Sequence, residues 1–149
     1  MPIYINPGFC SVNDSPTNPI AERMEKSKDY MPRVLIIDDE ESIRYSFEIF
    51  LTEAGYTVIT AGSYEEALAR ISEINFDLIF IDIILGGRSG IDVLREISKR
   101  NILAPIIMIT GDPDAATAQE AFTLGAYGHI SKPISQEKLL RLTKSALRR

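Results

Sequence analysis

Five short runs of apolar residues, separated by longer amphipathic stretches, dominate this 149-residue chain from residue 33 onward. They lie at residues 34–37, 56–59, 78–81, 106–109 and, more weakly, 127–131. Three of the runs are continuous aliphatic or β-branched segments without alternating polar residues. This pattern is typical of strands that are buried on both faces of a parallel sheet.

Helical patterns with recognisable ends separate the apolar runs. The predicted N-caps are Ser63, Asp112 and Ser135, and the predicted C-terminal caps are Gly55 and Gly125. Five strands that alternate with five helices indicate a (βα)5 chain. Because crossovers between parallel strands are right-handed, we predict the α/β fold class, with a doubly wound five-stranded parallel sheet and helices on both faces.

The first 31 residues differ from the rest of the chain. Four prolines interrupt a stretch rich in Asn and Ser, and no helical or strand period is sustained there. We therefore expect residues 1–31 to be a disordered or loosely attached leader, and residues 32–149 to be the folded domain. Met24 and Met31 are alternative starts within this stretch.

Composition excludes several classes of protein. The net charge of −5 argues against a free-standing nucleic-acid binder, whose surface would be basic. A single cysteine, Cys10, and a single histidine cannot form an intrachain disulfide or a Cys/His zinc site. The apolar runs are too short to span a bilayer, and no secretory signal is visible. We expect a cytoplasmic protein without direct nucleic-acid or membrane contacts.

Polar side chains follow the apolar runs at the points where the predicted strands end. Asp38 and Asp39 follow the first run, Asp82 the third, Thr110 the fourth and Lys132 the fifth. The carboxyl ends of parallel strands form one edge of the sheet, so these side chains should converge there. Three carboxylates repel one another unless a cation lies between them, and oxygen ligands suit Mg²⁺ or Mn²⁺.

A metal ion beside a carboxylate, with a lysine and a hydroxyl nearby, is suited to phosphoryl transfer. The metal and the ammonium neutralise the phosphoryl oxygens, the hydroxyl donates a hydrogen bond, and one carboxylate attacks. Each residue alone also has an ordinary explanation, such as a helix-dipole charge, a turn, a solvated lysine or the last residue of a strand. Their shared position at one edge of the sheet favours the functional interpretation.

Four segments, at residues 34–40, 77–90, 109–111 and 125–133, resemble the signature segments of response regulator receiver domains. They occur in the family's order over about residues 33–149. The resemblance implies a flavodoxin-like fold with strand order 2-1-3-4-5. It also implies a role in two-component signalling, in which a histidine kinase phosphohistidine donates a phosphoryl group to the receiver.

The resemblance implies a role for each polar residue at this edge. Asp82 would be the phosphoryl acceptor. Asp38, Asp39 and Asp82 would hold Mg²⁺ (or Mn²⁺), with the backbone carbonyl of Ile84 completing the metal site. Thr110 and Lys132 would contact the phosphoryl oxygens, and the peptide bond between Lys132 and Pro133 is expected to be cis.

Two positions depart from the family pattern. Gly86, followed by Gly87, replaces the usual proline four residues after the acceptor, so the loop is expected to be looser. His129 replaces the usual Tyr or Phe three residues before the lysine. The resemblance makes Thr110 and His129 the switch residues of a face formed by the fourth helix, the fifth strand and the fifth helix. The alternative is that His129 is a surface residue on an edge strand.

The resemblance implies a phosphoacceptor signalling domain, not an enzyme, although one that assists its own phosphotransfer and dephosphorylation. The expected partners are a cognate histidine kinase or phosphotransfer protein and a second copy of the chain in a phosphorylation-dependent homodimer. Two forms of output stay open: the chain is a single-domain regulator, or it is the receiver of a larger regulator whose effector domain lies outside this chain. Two other functions stay open: a haloacid-dehalogenase-like phosphohydrolase and a non-phosphorylated pseudo-receiver. A flavin or nucleotide binder is disfavoured, since the acidic residues after the first strand would repel a phosphate.

Overall fold

The computed structural model describes residues 4–5, 30–111 and 115–148. Its strands are β1 (Tyr4–Ile5), β2 (Arg33–Ile37), β3 (Thr57–Ala61), β4 (Leu78–Asp82), β5 (Ile84–Leu85), β6 (Arg88–Ser89), β7 (Ile106–Thr110) and β8 (Gly128–Ser131). Its helices are α1 (Glu41–Glu53), α2 (Tyr64–Glu73), α3 (Gly90–Lys99), α4 (Ala115–Thr123) and α5 (Gln136–Leu147).

The main sheet of the described residues follows the order β1-β8-β7-β4-β2-β3. Strands β3, β2, β4, β7 and β8 are parallel, which confirms the predicted (βα)5 chain and its 2-1-3-4-5 order. The central strands have neighbours on both sides; Val34, for example, pairs with both Val58 and Leu78. Helices cover both faces, so these strands carry apolar residues at almost every position.

Alternate residues of the same strand enter two separate apolar cores. In β2, Leu35 and Ile37 belong to the core packed beneath α2, α3 and α4, where Ile71 and Leu94 also lie. The intervening residues of β2 belong to the core packed beneath α1 and α5, which contains Phe47. The alternation follows from the two-residue period of a strand.

The predicted helix caps that fall within the described residues are confirmed. The Ser63 hydroxyl accepts from the Glu66 N–H at 3.1 Å, and the Ser135 hydroxyl accepts from the Lys138 N–H at 3.2 Å. Gly55 and Gly125 have φ angles of 99° and 98°, the left-handed conformation that glycine adopts without a steric penalty. The predicted cap at Asp112 lies outside the described residues.

One strand of the sheet was not predicted. Strand β1 pairs antiparallel with the outer edge of β8, so the five parallel strands gain a sixth, antiparallel neighbour. Residues 6–29 lie outside the described residues, and the expected disorder of the leader stays a prediction. None of the described helices has the length and apolar character needed to cross a membrane.

Candidate functional site

The carboxyl ends of the parallel strands bring four acidic residues together. Carboxylate oxygens of Asp38, Asp39, Glu40 and Asp82 all lie within 4.8 Å of one another. Asp38 and Asp82 are buried, whereas Asp39 and Glu40 are exposed. The three predicted carboxylates therefore converge as expected. Glu40 is an additional member that the sequence analysis did not assign.

Lys132, in the segment after β8, lies against this acidic cluster. Its Nζ atom is 3.1 Å from Oδ2 of Asp82, 3.4 Å from Oδ2 of Asp38 and 2.9 Å from Oε1 of Glu40. Burial alone would lower the pKa of Lys132, but hydrogen bonds to Glu40 and Asp82 and the negative charge of Asp38 outweigh it and raise that pKa above its ordinary value. Lys132 is therefore a permanent cation in the site.

Asp38 is the most deeply buried carboxylate of the cluster. Its Oδ1 atom accepts a hydrogen bond from the Glu40 N–H at 2.8 Å. Its Oδ2 atom has no hydrogen-bond partner among the described residues, apart from the ion-pair contact with Lys132. Burial raises the pKa of Asp38 to about 6, and the nearby charge of Asp82 adds to this, against the lowering effect of the Glu40 hydrogen bond and of Lys132.

These features fit a divalent cation. A buried carboxylate oxygen without a hydrogen bond is costly, and a metal ion would satisfy it. Carboxylates supply the oxygen ligands that Mg²⁺ and Mn²⁺ prefer. Exposed Asp39 leaves the cluster open to solvent on one side. The residues present therefore suit the metal that the sequence analysis expected.

Ile84 lies beside the expected acceptor. Its backbone N–H donates to Oδ1 of Asp82 at 3.1 Å, and the residue is 65% exposed. The hydrogen bond fixes one carboxylate oxygen of Asp82, while Lys132 contacts the other. The role of the Ile84 carbonyl as a metal ligand stays a prediction.

The loop that the Gly86-Gly87 pair was expected to loosen is a regular β-hairpin. Strands β5 and β6 pair antiparallel on either side of a two-residue turn, with Gly86 at φ 62°. Two-residue hairpins require a positive φ in the turn, and glycine provides it. At the hairpin base the Gly90 N–H donates to the Ile83 carbonyl at 2.6 Å, and a Cβ on Gly90 would overlap the Asp82 carbonyl oxygen. The acceptor loop is thus closed tightly at its base.

Thr110 and His129, the two predicted switch residues, line the same small apolar cavity. Thr110 is buried at the end of β7, and its carbonyl accepts from the Lys132 N–H at 2.7 Å. The His129 ring is half-buried, and its centroid lies 6.1 Å from that of Phe122 on α4. Burial lowers the pKa of His129 below its ordinary value of 6.5. His129 is thus not a freely exposed residue, and it connects β8 with α4.

Lys132 and Pro133 are joined by a cis peptide bond, as expected. The structure thus brings Asp38, Asp39, Asp82 and Lys132 into one site. Thr110 lies at the end of the strand next to Asp82.

The sequence model of the response regulator receiver domain matches residues 34–144, most of the chain. The chain belongs to this family. Receiver domains are the phosphoacceptor signalling modules of two-component response regulators, and they generally bind Mg²⁺ at an acidic pocket. The recognition of the family from its signature segments is confirmed.

Two curated relatives illustrate the similarity. Response regulator RR06 of Streptococcus pneumoniae is 35% identical over 116 residues, which cover 78% of this chain and 53% of that protein. The transcriptional regulatory protein ResD of Bacillus subtilis is 34% identical over 117 residues, which cover 78% of this chain and 48% of that protein. The chain thus spans about half the length of these relatives.

Solved receiver structures match over nearly their whole length. A CheY-like receiver protein from Methanospirillum hungatei is 31% identical with a TM-score of 0.77, over 80% of this chain and 95% of that one. The receiver domain of NtrX from Brucella abortus is 35% identical with a TM-score of 0.73, over 77% of this chain and 98% of that one.

Proposed function

We propose that Asp82 accepts a phosphoryl group from the phosphohistidine of a histidine kinase or phosphotransfer protein, in a reaction that requires Mg²⁺ or Mn²⁺. The observation that carries this proposal is the position of the Asp82 carboxylate. One oxygen contacts the Lys132 ammonium and the other accepts the Ile84 N–H, at the centre of a cluster of acids. An oxygen held in this way is oriented to attack phosphorus.

The chemistry requires one bond to form and one to break. A carboxylate oxygen of Asp82 forms the new P–O bond, and the P–N bond to the donor imidazole breaks. Asp38, Asp39, Asp82 and the Ile84 carbonyl are the proposed metal ligands. A bound cation would neutralise charge on the phosphoryl oxygens. Lys132 moves from its pair with Asp82 to a phosphoryl oxygen, and the Thr110 hydroxyl donates a hydrogen bond to another.

The proposed switch connects the phosphoryl group to the surface formed by α4, β8 and α5. Thr110 lies at the end of β7, next to the acceptor strand, and shares a cavity with His129. When Thr110 turns towards the phosphoryl group, it frees space in that cavity, and the His129 ring moves inward. This movement changes the α4–β8–α5 surface that a partner or a second copy of the chain would recognise.

The output of the receiver is proposed to lie in an effector domain outside the described chain. The matched relatives are about twice as long as the matched segment, and one of them carries the name of a transcriptional regulatory protein. The chain itself is proposed to be a cytoplasmic signalling module that assists its own phosphorylation and dephosphorylation. It is not proposed to be an enzyme with an external substrate.

The decisive experiment is labelling with acetyl phosphate, followed by intact-mass measurement. Wild-type protein should gain one phosphoryl group with Mg²⁺ and none with a chelator, because without a cation the acids repel the donor. Asp82→Asn should gain none. Asp92→Asn is the matched control, since Asp92 lies on the outer face of α3, paired with Arg95, and should label normally.

Two results would overturn the proposal. One is uptake of label by Asp82→Asn at the wild-type rate. The other is repeated release of phosphate from a generic phosphomonoester by wild-type protein, which is the behaviour of a phosphohydrolase.

A further inference from the structure

The outer edge of β8 is occupied by residues from the far N-terminal end of the same chain. Tyr4 is the antiparallel register partner of His129, and Ile5 is the partner of Gly128. Strand β8 is otherwise the last strand of the parallel sheet on that side. The short strand β1 therefore covers the edge on which the proposed switch residue lies.

The directions of the backbone N–H groups of β8 show which of them lie on the edge that β1 covers. The Tyr127 N–H donates to the Ile106 carbonyl at 2.8 Å, so it points towards β7. Because successive N–H groups of a strand point to opposite sides, the His129 N–H also faces β7, whereas those of Gly128 and Ile130 face the outer edge. An open row of such groups is a template for pairing with another chain.

The sequence around β1 suits a short cap. Residues 3–5 are Ile-Tyr-Ile, β-branched and aromatic residues that favour strands. Pro2 and Pro7 flank them, and proline has no N–H to donate to a ladder. These prolines limit the length over which the segment can pair. The segment can close the edge of β8 without itself offering a long new edge to a further strand.

A second contact ties the other end of the leader to the domain. The Tyr30 hydroxyl donates to the carboxylate of Asp77, which is fully buried directly before β4, and the Arg33 N–H donates to the same carboxylate at 2.9 Å. Tyr30, at the end of the leader, is thus held against the domain that β1 caps. Because β1 and β8 belong to the same chain, their pairing is intramolecular. Its effective concentration is therefore higher than that of a partner from solution.

We propose that strand β1 is an intramolecular edge cap, in which Tyr4–Ile5 closes the outer edge of β8 against pairing with a second copy of this chain. A second copy is the natural competitor, because it brings an identical edge in the antiparallel orientation that two-fold symmetry produces. The cap operates without phosphorylation of Asp82. Its failure would therefore leave the proposed phosphoryl chemistry untouched.

Amide hydrogen exchange tests whether the edge is covered. Gly128 faces the outer edge and is the register partner of Ile5, so the two form a hydrogen-bonding pair, and Ile5→Pro removes one donor of that pair. Exchange at the Gly128 amide should speed up about tenfold or more in Ile5→Pro and in a protein that starts at Met24. Ile5→Val keeps the N–H and should behave as wild type. The His129 amide, which faces β7, is the internal reference and should not change.

Analytical sedimentation, which measures the oligomeric state, tests whether the cap prevents dimer formation. The protein that starts at Met24 keeps the Tyr30 contact, and it should form dimers at concentrations where the full chain is monomeric. A synthetic peptide of residues 1–10 should dissociate those dimers and restore slow exchange at Gly128. Equal exchange at Gly128 in wild type and Ile5→Pro would overturn the cap. An exposed edge that stays monomeric would overturn its role against self-pairing.

Discussion

The Nζ atom of Lys132 lies 3.1 Å from Oδ2 of Asp82, so a salt bridge joins the segment after β8 to the end of β4. The same ammonium also contacts Asp38 and Glu40, and it is the principal positive charge among four clustered acids. A metal ion or a phosphoryl group at this site would each change the net charge that surrounds the Lys132 ammonium. The consequences of removing it can therefore be predicted separately with and without metal.

Lys132→Ala should destabilise the protein by about 1–3 kcal/mol in the presence of a chelator, because buried carboxylates lose their counter-charge. With saturating Mg²⁺ the loss should be smaller, since bound cation restores positive charge and stabilises the folded state. Urea unfolding in the two buffers measures this difference. Lys144→Ala, at an exposed position of α5, is the control and should change stability by less than about 0.5 kcal/mol. An equal loss in both buffers would contradict a metal site beside Lys132.

Asp39 and Glu40 are both exposed members of the acidic cluster, but they should differ in their effect on metal binding. Asp39→Asn should weaken Mg²⁺ binding by roughly tenfold or more, because it removes a proposed ligand. Glu40→Gln should have a much smaller effect, because the Glu40 carboxylate already pairs with Lys132. Calorimetric titration with Mg²⁺ gives both values, and Glu41→Gln, one residue into α1, serves as the control. A larger effect of Glu40→Gln than of Asp39→Asn would reverse the two assignments.

Ile84 is expected to protect the phosphorylated form from hydrolysis. Its exposed side chain lies two residues after the acceptor, where a polar group would help to hold an attacking water and a bulky apolar group hinders it. Ile84→Asn should therefore lose its phosphoryl label faster than wild type. Leu103→Asn replaces another exposed apolar residue, which precedes β7 at the opposite end of the sheet, and should leave the decay rate unchanged. Slower decay in Ile84→Asn would show that the apolar side chain does not shield the site.

His129 should make stability depend on pH. Burial lowers the pKa of His129 in the folded state below 6.5, so below about pH 6.5 the unfolded chain binds a proton more readily than the folded chain. The stabilisation of the folded state by neutral His129 is therefore fully present above pH 6.5. It is lost as the pH falls below 6.5, because protonation favours the unfolded chain. The loss should be absent in His129→Tyr, because a phenol does not titrate in this range.

The measurement is the difference in unfolding free energy between wild type and His129→Tyr from pH 7.5 to 5.5. Asp38, whose pKa is raised to about 6, titrates in both proteins and cancels in the difference.

The neutral form of His129 should also favour the inward position of its ring. Phosphorylation-driven association, compared at equal phosphorylation, should therefore weaken as the pH falls. A pH-independent difference between the two proteins would leave His129 without a role as a titrating switch.

Features that depend on local sequence were predictable. Ser63 and Ser135 cap helices because a hydroxyl at that position accepts the free N–H groups of the first turn, which requires only neighbouring residues. The convergence of Asp82 and Lys132 was also predictable, because the carboxyl ends of parallel strands share one edge of the sheet.

Features that depend on distant parts of the chain were not predictable. The contact between Glu40 and Lys132 joins residues 92 positions apart, and its geometry depends on how α1 begins. The pairing of Ile5 with Gly128 depends on an open sheet edge rather than on a local signal. Gly86 was expected to loosen its loop, since removing a proline adds backbone freedom. The positive φ of Gly86 instead allows a two-residue hairpin whose hydrogen bonds offset that freedom.

The hairpin after Asp82 has a closed base and an open tip, and this difference suggests where a reporter can be attached. Among the described residues beyond its chain neighbours, no atom lies within 4 Å of a Cβ placed on Gly87, whereas a Cβ on Gly90 would overlap the Asp82 carbonyl oxygen. The chain has one native cysteine, Cys10, so replacing it with serine and introducing Gly87→Cys would give a unique thiol for a fluorophore or a spin label. The label would project into solvent from the exposed tip of the hairpin, a few residues from the acceptor. Its signal would then report the arrival of a metal ion or a phosphoryl group in real time, without radioactivity and without a partner protein.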